Sequence, residues 1–455
     1  EISCSLVGSE MCIRDRMYSV SGEQILKALG SGTTKEKAEK LDSSLRAMEQ
    51  MMHLFYQHKG LNDSSQTPAK DRLPSQHLNI RYMRMFKGAF MYAGGNHIGI
   101  EWDSVKHLAE GRPIRLDENG KYADGNFFGW GIAHEIGHNI NQNAYSIAEI
   151  TNNYFSQLTT ARDTNESVRF QYQDVYEKVT SGTIGRSESE AVQLALYWQL
   201  HLAYDRGYNF ATYDSYEEQF KNLFYARVDT YARDVSRAPA PGGVKLTLEG
   251  DAEQKLMRLA CAAAEADLME FFTRWGMLPD AGTRAYAAQF EKEPRAVYYL
   301  NDEARVYEIE HGTDATFAGK NVVGASSRVS VNEAVPNEVT ISIKSSADPE
   351  VLLGYEIARY TYEGGRESRK VVGFTTESQW QDHVTDLNNR AITYEVTAVD
   401  KFGYYSAPQK VGTVRISHDG SHDKAMWKVM TNMVSKADEI PEAVSYTHLT
   451  LPTKA

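Results

Sequence analysis

The sequence predicts an α+β fold: a mixed unit of short strands and long helices that becomes mostly helical, followed by a small all-β sandwich. Three observations carry this. Between Gly22 and His58, apolar residues recur at helical spacing at Leu41, Leu45, Met48, Met52 and Phe55. From His77 to Trp102 the pattern changes to short apolar and aromatic runs, Phe90-Met91-Tyr92 and His97-Ile98-Gly99-Ile100, interrupted by Gly94-Gly95-Asn96. After Gly312, period-two alternation takes over: Val339, Ile341 and Ile343; Tyr355 and Ile357; Ile392, Tyr394, Val396 and Ala398.

With 455 residues the chain can form two or three domains, each with a sizeable core, and its 42% hydrophobic content marks a globular protein. A net charge of −12 leaves no basic stripe to neutralise phosphates, which excludes a nucleic-acid partner. The longest apolar stretches, such as Leu259 to Ala264, fall far short of the roughly 20 residues that span a bilayer. The ends, residues 1–16 (EISCSLVGSEMCIRDR) and 444–455 (VSYTHLTLPTKA), have no amphipathic period and read as non-native, adapter-derived sequence. The chain is therefore expected to be truncated at both ends, and a missing signal peptide says nothing about localisation. Cys261 then remains as the one native cysteine, a small core residue, and no disulfide framework is implied.

In chain order, the first helical region from Gly22 to His58 carries a Met-rich stripe that reads as core packing. Leu61 to Ser75 holds two prolines with Asn, Asp and Ser and reads as a loop. The strands from His77 to Trp102 follow, joined by a tight turn. Gly125 to Gly131 leads into a helix whose apolar side is Ile132, Ile136 and Ile140, and which carries His134-Glu135-Ile136-Gly137-His138. On a helix, residues four apart share a face, so His134 and His138 can present both imidazoles to one metal, with Glu135 placed to handle a water. The pattern suits Zn2+, and the first hypothesis is a zinc peptidase. Gly137 leaves room for a close approach.

A further helix is expected from Ser146, and here Glu149 has two competing readings. It can complete a two-His-one-Glu metal set, or it can close a Ser146-x-x-Glu149 capping box by bonding backbone amides. Asn153, one turn beyond, can orient a ligand histidine through a hydrogen bond. The remaining expectations for this unit are helical. A Ser187-x-x-Glu190 capping box opens a helix through Leu194, Trp198 and Leu202; others run from Tyr216 to Asp234 and from Asp251 to Trp275; Tyr298 to Glu310 is read as a hairpin. Residues 17–312 are thus one domain and 313–330, rich in Gly, Ser, Asn and Thr, a linker. Residues 331–416 form the sandwich, with turn signals at Glu363-Gly364-Gly365 and Asn388-Asn389. Residues 417–443 hold a second linker and the start of a helical run, Ala425 to Val434.

Gly129-Trp130-Gly131-Ile132-Ala133-His134-Glu135-Ile136-Gly137-His138-Asn139, followed by Ala148-Glu149-Ile150-Thr151-Asn152-Asn153, resembles the enhancin-like M-sixty gluzincin peptidases. The resemblance covers about Met91 to Gly276, with Met91-Tyr92-Ala93-Gly94 through Ile98-Gly99 and Leu268 to Gly276 as further similar segments. It implies a zincin-like fold in which a small twisted sheet lies above two ligand-bearing helices, with a mostly helical C-terminal subdomain. It also implies one Zn2+ per chain held by His134, His138 and Glu149, with Glu135 as catalytic base. An edge strand before the metal helix pairs with substrate in such enzymes, and Ala93 to Ile100 is the candidate. Substrates of the resembled enzymes are O-glycosylated, mucin-like proteins outside the cell, so an extracellular or cell-surface location and a monomer are expected. Gly94, Gly95, Asn96, His97 and Trp130 are candidates for substrate binding. Residues 331–416, with Tyr394-Glu395-Val396-Thr397-Ala398-Val399-Asp400, resemble a fibronectin type III module, an immunoglobulin-like sandwich.

The reaction implied is peptide-bond hydrolysis by a zinc-activated water with Glu135 as general base. A further donor beside the zinc is required; Tyr145, Tyr154 and His97 lie near in sequence, each also with a structural reading, and none is assigned. Two rivals remain open: a general zinc endopeptidase indifferent to glycans, and a non-catalytic glycan-binding protein with a structural metal.

Overall fold

The computed structural model describes residues 16–75, 78–85, 88–162, 169–312, 316–332, 335, 337–363, 366–384 and 391–416. The expectations for the terminal tails, for Ala425 to Val434 and for the turns at Gly364-Gly365 and Asn388-Asn389 lie outside these residues. The chain divides into two compact units. The first holds residues up to Lys320 together with 348–354 and 398–406; the second holds 321–347, 355–397 and the chain from Ala407.

The first unit begins with β1 (Arg16–Ser19), α1 (Gly22–Ala28) and the long α2 (Thr34–His58). Thr33 caps α2 in a reciprocal box with Glu36: its hydroxyl accepts from the Glu36 N–H, and the Glu36 carboxylate accepts from the Thr33 N–H. The methionine stripe does pack inward, with Met48, Met51, Met52 and Phe55 all buried. Strands β2 (Leu78–Tyr82), β3 (Met91–Gly94) and β4 (His97–Ile100) join β1 in a sheet of order β1-β2-β4-β3. The first two pairings are parallel and β4 with β3 is antiparallel. A two-residue turn, Gly95-Asn96, connects β3 to β4, and Gly95 has φ +55°, a conformation glycine adopts without penalty. The expected edge, Ala93 to Ile100, is therefore only half right. β4 is interior, holding Ile98 and Ile100 in the core, and the edge on that side is β3.

Strands β5 (Arg112–Leu116) and β6 (Tyr122–Asn126) form a separate hairpin that leads into α3 (Trp130–Ile140), the helix carrying the two histidines. Ile132 and Ile136 are buried as the spacing predicts, whereas Ile140, at the helix end, is only half covered. The next helix, α4 (Asn153–Thr160), starts seven residues later than expected from Ser146. After it come α5 (Tyr172–Ser181), α6 (Glu190–Tyr204), α7 (Tyr216–Asn222), α8 (Phe224–Arg233), α9 (Ala252–Ala264), α10 (Met269–Arg274), α11 (Ala281–Ala287) and α12 (Asp302–His311).

Local chemistry explains where these helices depart from the sequence expectation. α6 is capped by Ser189, whose hydroxyl accepts from the Val192 N–H, and not by Ser187. The run from Tyr216 to Asp234 is two helices because Asp205, from the end of α6, accepts the Phe224 N–H (2.6 Å) and starts α8 afresh. The run from Asp251 to Trp275 breaks after Ala264, where Glu265 adopts a left-handed conformation (φ +52°). Tyr298 to Glu310 is no hairpin: Asn301 accepts the Ala304 N–H and caps α12. Among the described residues, no helix is long and apolar enough to cross a membrane.

Two further sheets lie mostly in the second unit, with residues 352–354 and 398–400 of their strands counted in the first. One has the order β11-β8-β7 and the other β10-β9-β12-β13, with β7 (Arg328–Val331), β8 (Glu338–Ser342), β9 (Leu352–Glu363), β10 (Arg366–Thr375), β11 (Gln379–His383), β12 (Ala391–Asp400) and β13 (Gln409–Arg415). The alternating residues named above, from Val339 to Ala398, are all buried.

Candidate metal centre

Helix α3 brings His134 and His138 to one face, and the turn-rich segment after it returns Glu149 to that face. Gly137 permits this return: a Cβ there would lie 2.4 Å from the carbonyl oxygen of Asn152. The helix and the segment therefore meet at backbone distance. Within the segment the Ser146 N–H bonds to the Gln142 carbonyl, and the Thr151 hydroxyl engages both the N–H and the carbonyl of Ile147 at 3.0 Å. Glu149 has φ +64°, a left-handed conformation that costs a non-glycine residue about 1–2 kcal/mol.

Ser146 caps no helix, so the capping-box reading of Glu149 fails. Its carboxylate turns instead to the histidines, one oxygen 3.2 Å from His134 Nε2 and the other 3.1 Å from His138 Nε2. The two Nε2 atoms are 3.2 Å apart. Tetrahedral ligands at 2.0–2.1 Å from a zinc ion lie about 3.3 Å from one another, so these three donors fit such an ion. Burial, reinforced by His134, pushes His138 below its ordinary pKa, toward the neutral imidazole that binds metal.

Glu135 is nearly buried beside them. Burial raises its pKa and the Glu149 charge adds to that, while His134 and the Ala93 backbone N–H pull the other way. Ala93 belongs to the edge strand β3, so the open edge of the sheet runs beside the Glu135 carboxylate. His134 Nδ1 lies 2.6 Å from Asn153 Oδ1, which also accepts from the Trp130 indole N–H at 3.1 Å. The Asn153 amide N–H₂ donates to the Glu149 carbonyl.

Other sequence candidates fall elsewhere. Gly94 ends β3, Gly95 and Asn96 form the β3–β4 turn, and His97 is tied into the sheet, its Nε2 2.8 Å from Arg81 Nη2 and 3.1 Å from the Tyr92 hydroxyl. Among the described residues that turn makes no hydrogen bond to His134, His138 or Glu149. Tyr145 is buried and donates to Asp229 (2.7 Å), and Tyr154 is buried against His58 (2.8 Å) and His201 (3.2 Å). Both hydroxyls are thus committed to the core. Sequence reasoning missed Asn152, whose Nδ2 lies 3.1 Å from both His138 Nε2 and His134 Nδ1. Its place directly before Asn153, three residues after Glu149, was the available signal. It also missed a second group, His58, His201 and Asp205, whose members are too far apart in sequence to suggest a cluster.

A profile of the peptidase M60, enhancin and enhancin-like family matches residues 31–276, more than half of the chain. The chain belongs to that family. Among solved structures, this M60 chain is similar to the M60 catalytic domain of Clostridium perfringens ZmpC, determined in complex with the sialyl T antigen, and to the ZmpB metallopeptidase of the same organism. Each shows 22% identity and a TM-score of 0.53 over 81% of this chain and 63% of the other. The catalytic module of ZmpA from C. perfringens follows at 19% identity and a TM-score of 0.51, over 81% of this chain and 62% of the other. At these identities the likeness is one of fold. The M60 chain spans less than two thirds of the length of these solved chains. No curated protein sequence matches it.

Proposed function

We propose that this chain is a zinc metallopeptidase acting outside the cell on O-glycosylated, mucin-like proteins, with His134, His138 and Glu149 as zinc ligands and Glu135 as general base. The observation that carries the proposal is the convergence of two imidazole nitrogens and both oxygens of one carboxylate, in contacts of 3.1–3.2 Å, beside a nearly buried glutamate. When bound, zinc would lower the pKa of a water to about 7 and polarise the scissile carbonyl. Glu135 takes a proton from the attacking water and delivers it to the leaving amine, a role suited to a carboxylate whose pKa is raised by burial. The free edge of β3 offers backbone N–H and C=O groups to an extended peptide, which would lie across Glu135. The glycoprotein substrate is supported by the solved M60 domain of ZmpC, which holds the sialyl T antigen. We further infer that residues 331–416 are a fibronectin type III-like module, supported by the sheets of three and four strands that the described residues form from Arg328 onward.

The test is incubation of one protein substrate, with and without its O-glycans, with the parent chain, the parent plus a chelator, and Glu135→Gln. Cleavage of the glycosylated form alone, lost with chelator and in Glu135→Gln, is the expected result. Equal cleavage of both forms would make the chain a general zinc endopeptidase. Binding without cleavage would make it a glycan-binding protein, and normal hydrolysis by Glu135→Gln would end the mechanism.

A further inference from the structure

We propose that Trp130 is a positioning residue of the metal centre, locking the Asn153 amide so that one side chain holds two zinc ligands in place. This rests on the ligand assignment above. An indole N–H can only donate and a backbone carbonyl can only accept. The Trp130 Nε1–H therefore requires the oxygen of the Asn153 amide at 3.1 Å, and the Glu149 carbonyl requires its nitrogen. Two independent contacts fix the same orientation.

With the amide so fixed, Oδ1 accepts from His134 Nδ1 at 2.6 Å, a shorter contact than the 3.1 Å to Asn152 Nδ2, and this places the ring proton of His134 on Nδ1. Its Nε2 is then a free lone pair facing Glu149 and His138, the tautomer a metal needs. At the other end of the amide, the bond to the Glu149 carbonyl holds that residue in its left-handed conformation. Trp130 is itself held in place: the Ser156 hydroxyl donates to its carbonyl at 3.0 Å, and the Arg169 guanidinium lies 4.3 Å above its ring. Arg169 covers one ring face and Asn153 takes the indole N–H, an arrangement that suits a support for the ligands.

The test compares Trp130→Phe, Asn153→Asp and Arg169→Ala with the parent. The readouts are zinc dissociation constants by chelator competition, the visible spectrum of the Co2+ form, and the melting temperature of the metal-free proteins. Trp130→Phe keeps the ring but loses the donor, and it should weaken zinc about 10-fold or more and shift the Co2+ bands. Asn153→Asp keeps the acceptor but loses the donor to Glu149, and should also weaken zinc about 10-fold or more. Arg169→Ala, which leaves the N–H in place, should keep zinc affinity within about 2-fold. A lower melting temperature with unchanged zinc affinity and an unchanged Co2+ spectrum in Trp130→Phe would make the residue merely structural and overturn the proposal. So would unchanged zinc affinity in Asn153→Asp. Failure of the underlying reading is distinct: His134→Ala would then bind zinc as tightly as the parent.

Discussion

Among the described residues, the first unit holds two clusters of the same composition, two histidines and a carboxylate, and they differ in burial and in what their nitrogens face. His58, His201 and Asp205 are almost fully buried. Most of the donors and acceptors there have protein partners. His201 Nδ1 lies 2.6 Å from Asp205, its Nε2 is 3.0 Å from Asn209 Oδ1, His58 Nδ1 meets the Tyr154 hydroxyl, and the other Asp205 oxygen accepts the Phe224 N–H. Asn209 can only be an acceptor there, because its amide nitrogen donates to the Ala161 and Arg162 carbonyls. The cluster ties α2, α4, α6 and α8 together as hydrogen-bonded core. His134 and His138 instead sit at a partly open surface, with Nε2 atoms turned to a carboxylate that is half exposed. Deeply buried nitrogens bonded to core partners make a staple; accessible ones that converge on a carboxylate suit an ion.

The largest effect should come from removing one histidine from each cluster. His134→Ala should drop zinc from about one ion per chain to near none and abolish hydrolysis. His201→Ala should keep the zinc yet lose about 3–5 kcal/mol of stability in chemical denaturation, because Asp205 is left buried and unpaired. Loss of metal from His201→Ala and not from His134→Ala would reverse the comparison.

A smaller effect concerns pH. Burial pushes His58 down to about 4, so it is neutral in the folded chain and binds a proton more readily when unfolded. Its contribution is fully present above pH 6.5 and is lost as the pH falls from 6.5 toward 4, by up to about 3 kcal/mol. Asp302, raised by burial to about 6, acts in the opposite direction, since its stabilising proton is lost as the pH rises from about 4 to 6. The difference between parent and His58→Gln isolates the histidine. The destabilisation caused by His58→Gln should shrink as the pH is lowered through that window, and a constant difference would mean that His58 does not titrate there.

The smallest effect should come from Gly137→Ala. The added Cβ would press on the Asn152 carbonyl and cost about 1–3 kcal/mol, with a further loss of zinc affinity as Glu149 is pushed away. Unchanged zinc affinity would show that the ligand set does not depend on that backbone approach.

Local patterns made much of this legible. Residues four apart on a helix share a face wherever the helix lies, so the His134–His138 pair needed no knowledge of the fold. Alternation likewise placed the buried residues of the second unit, and the methionine stripe placed the inner face of α2. Long-range contacts defeated the rest. The break between α7 and α8 depends on Asp205 arriving from another helix, and the cap on Ser189 competed with an equally plausible one at Ser187.

By itself the sequence determined the histidine pair, the glutamate between them, and a short list of ligands and supports that included Glu149 and Asn153. Only the tertiary structure removed the capping reading of Glu149, because Ser146 opens no helix and the backbone turns that carboxylate toward the two histidines. It likewise decided that Trp130 faces Asn153, that β3 and not β4 is the edge beside Glu135, and that a second histidine cluster is tied into the core by its own hydrogen bonds. Each of these depends on which groups the folded chain brings within about 3 Å, a distance that spacing along the sequence does not encode.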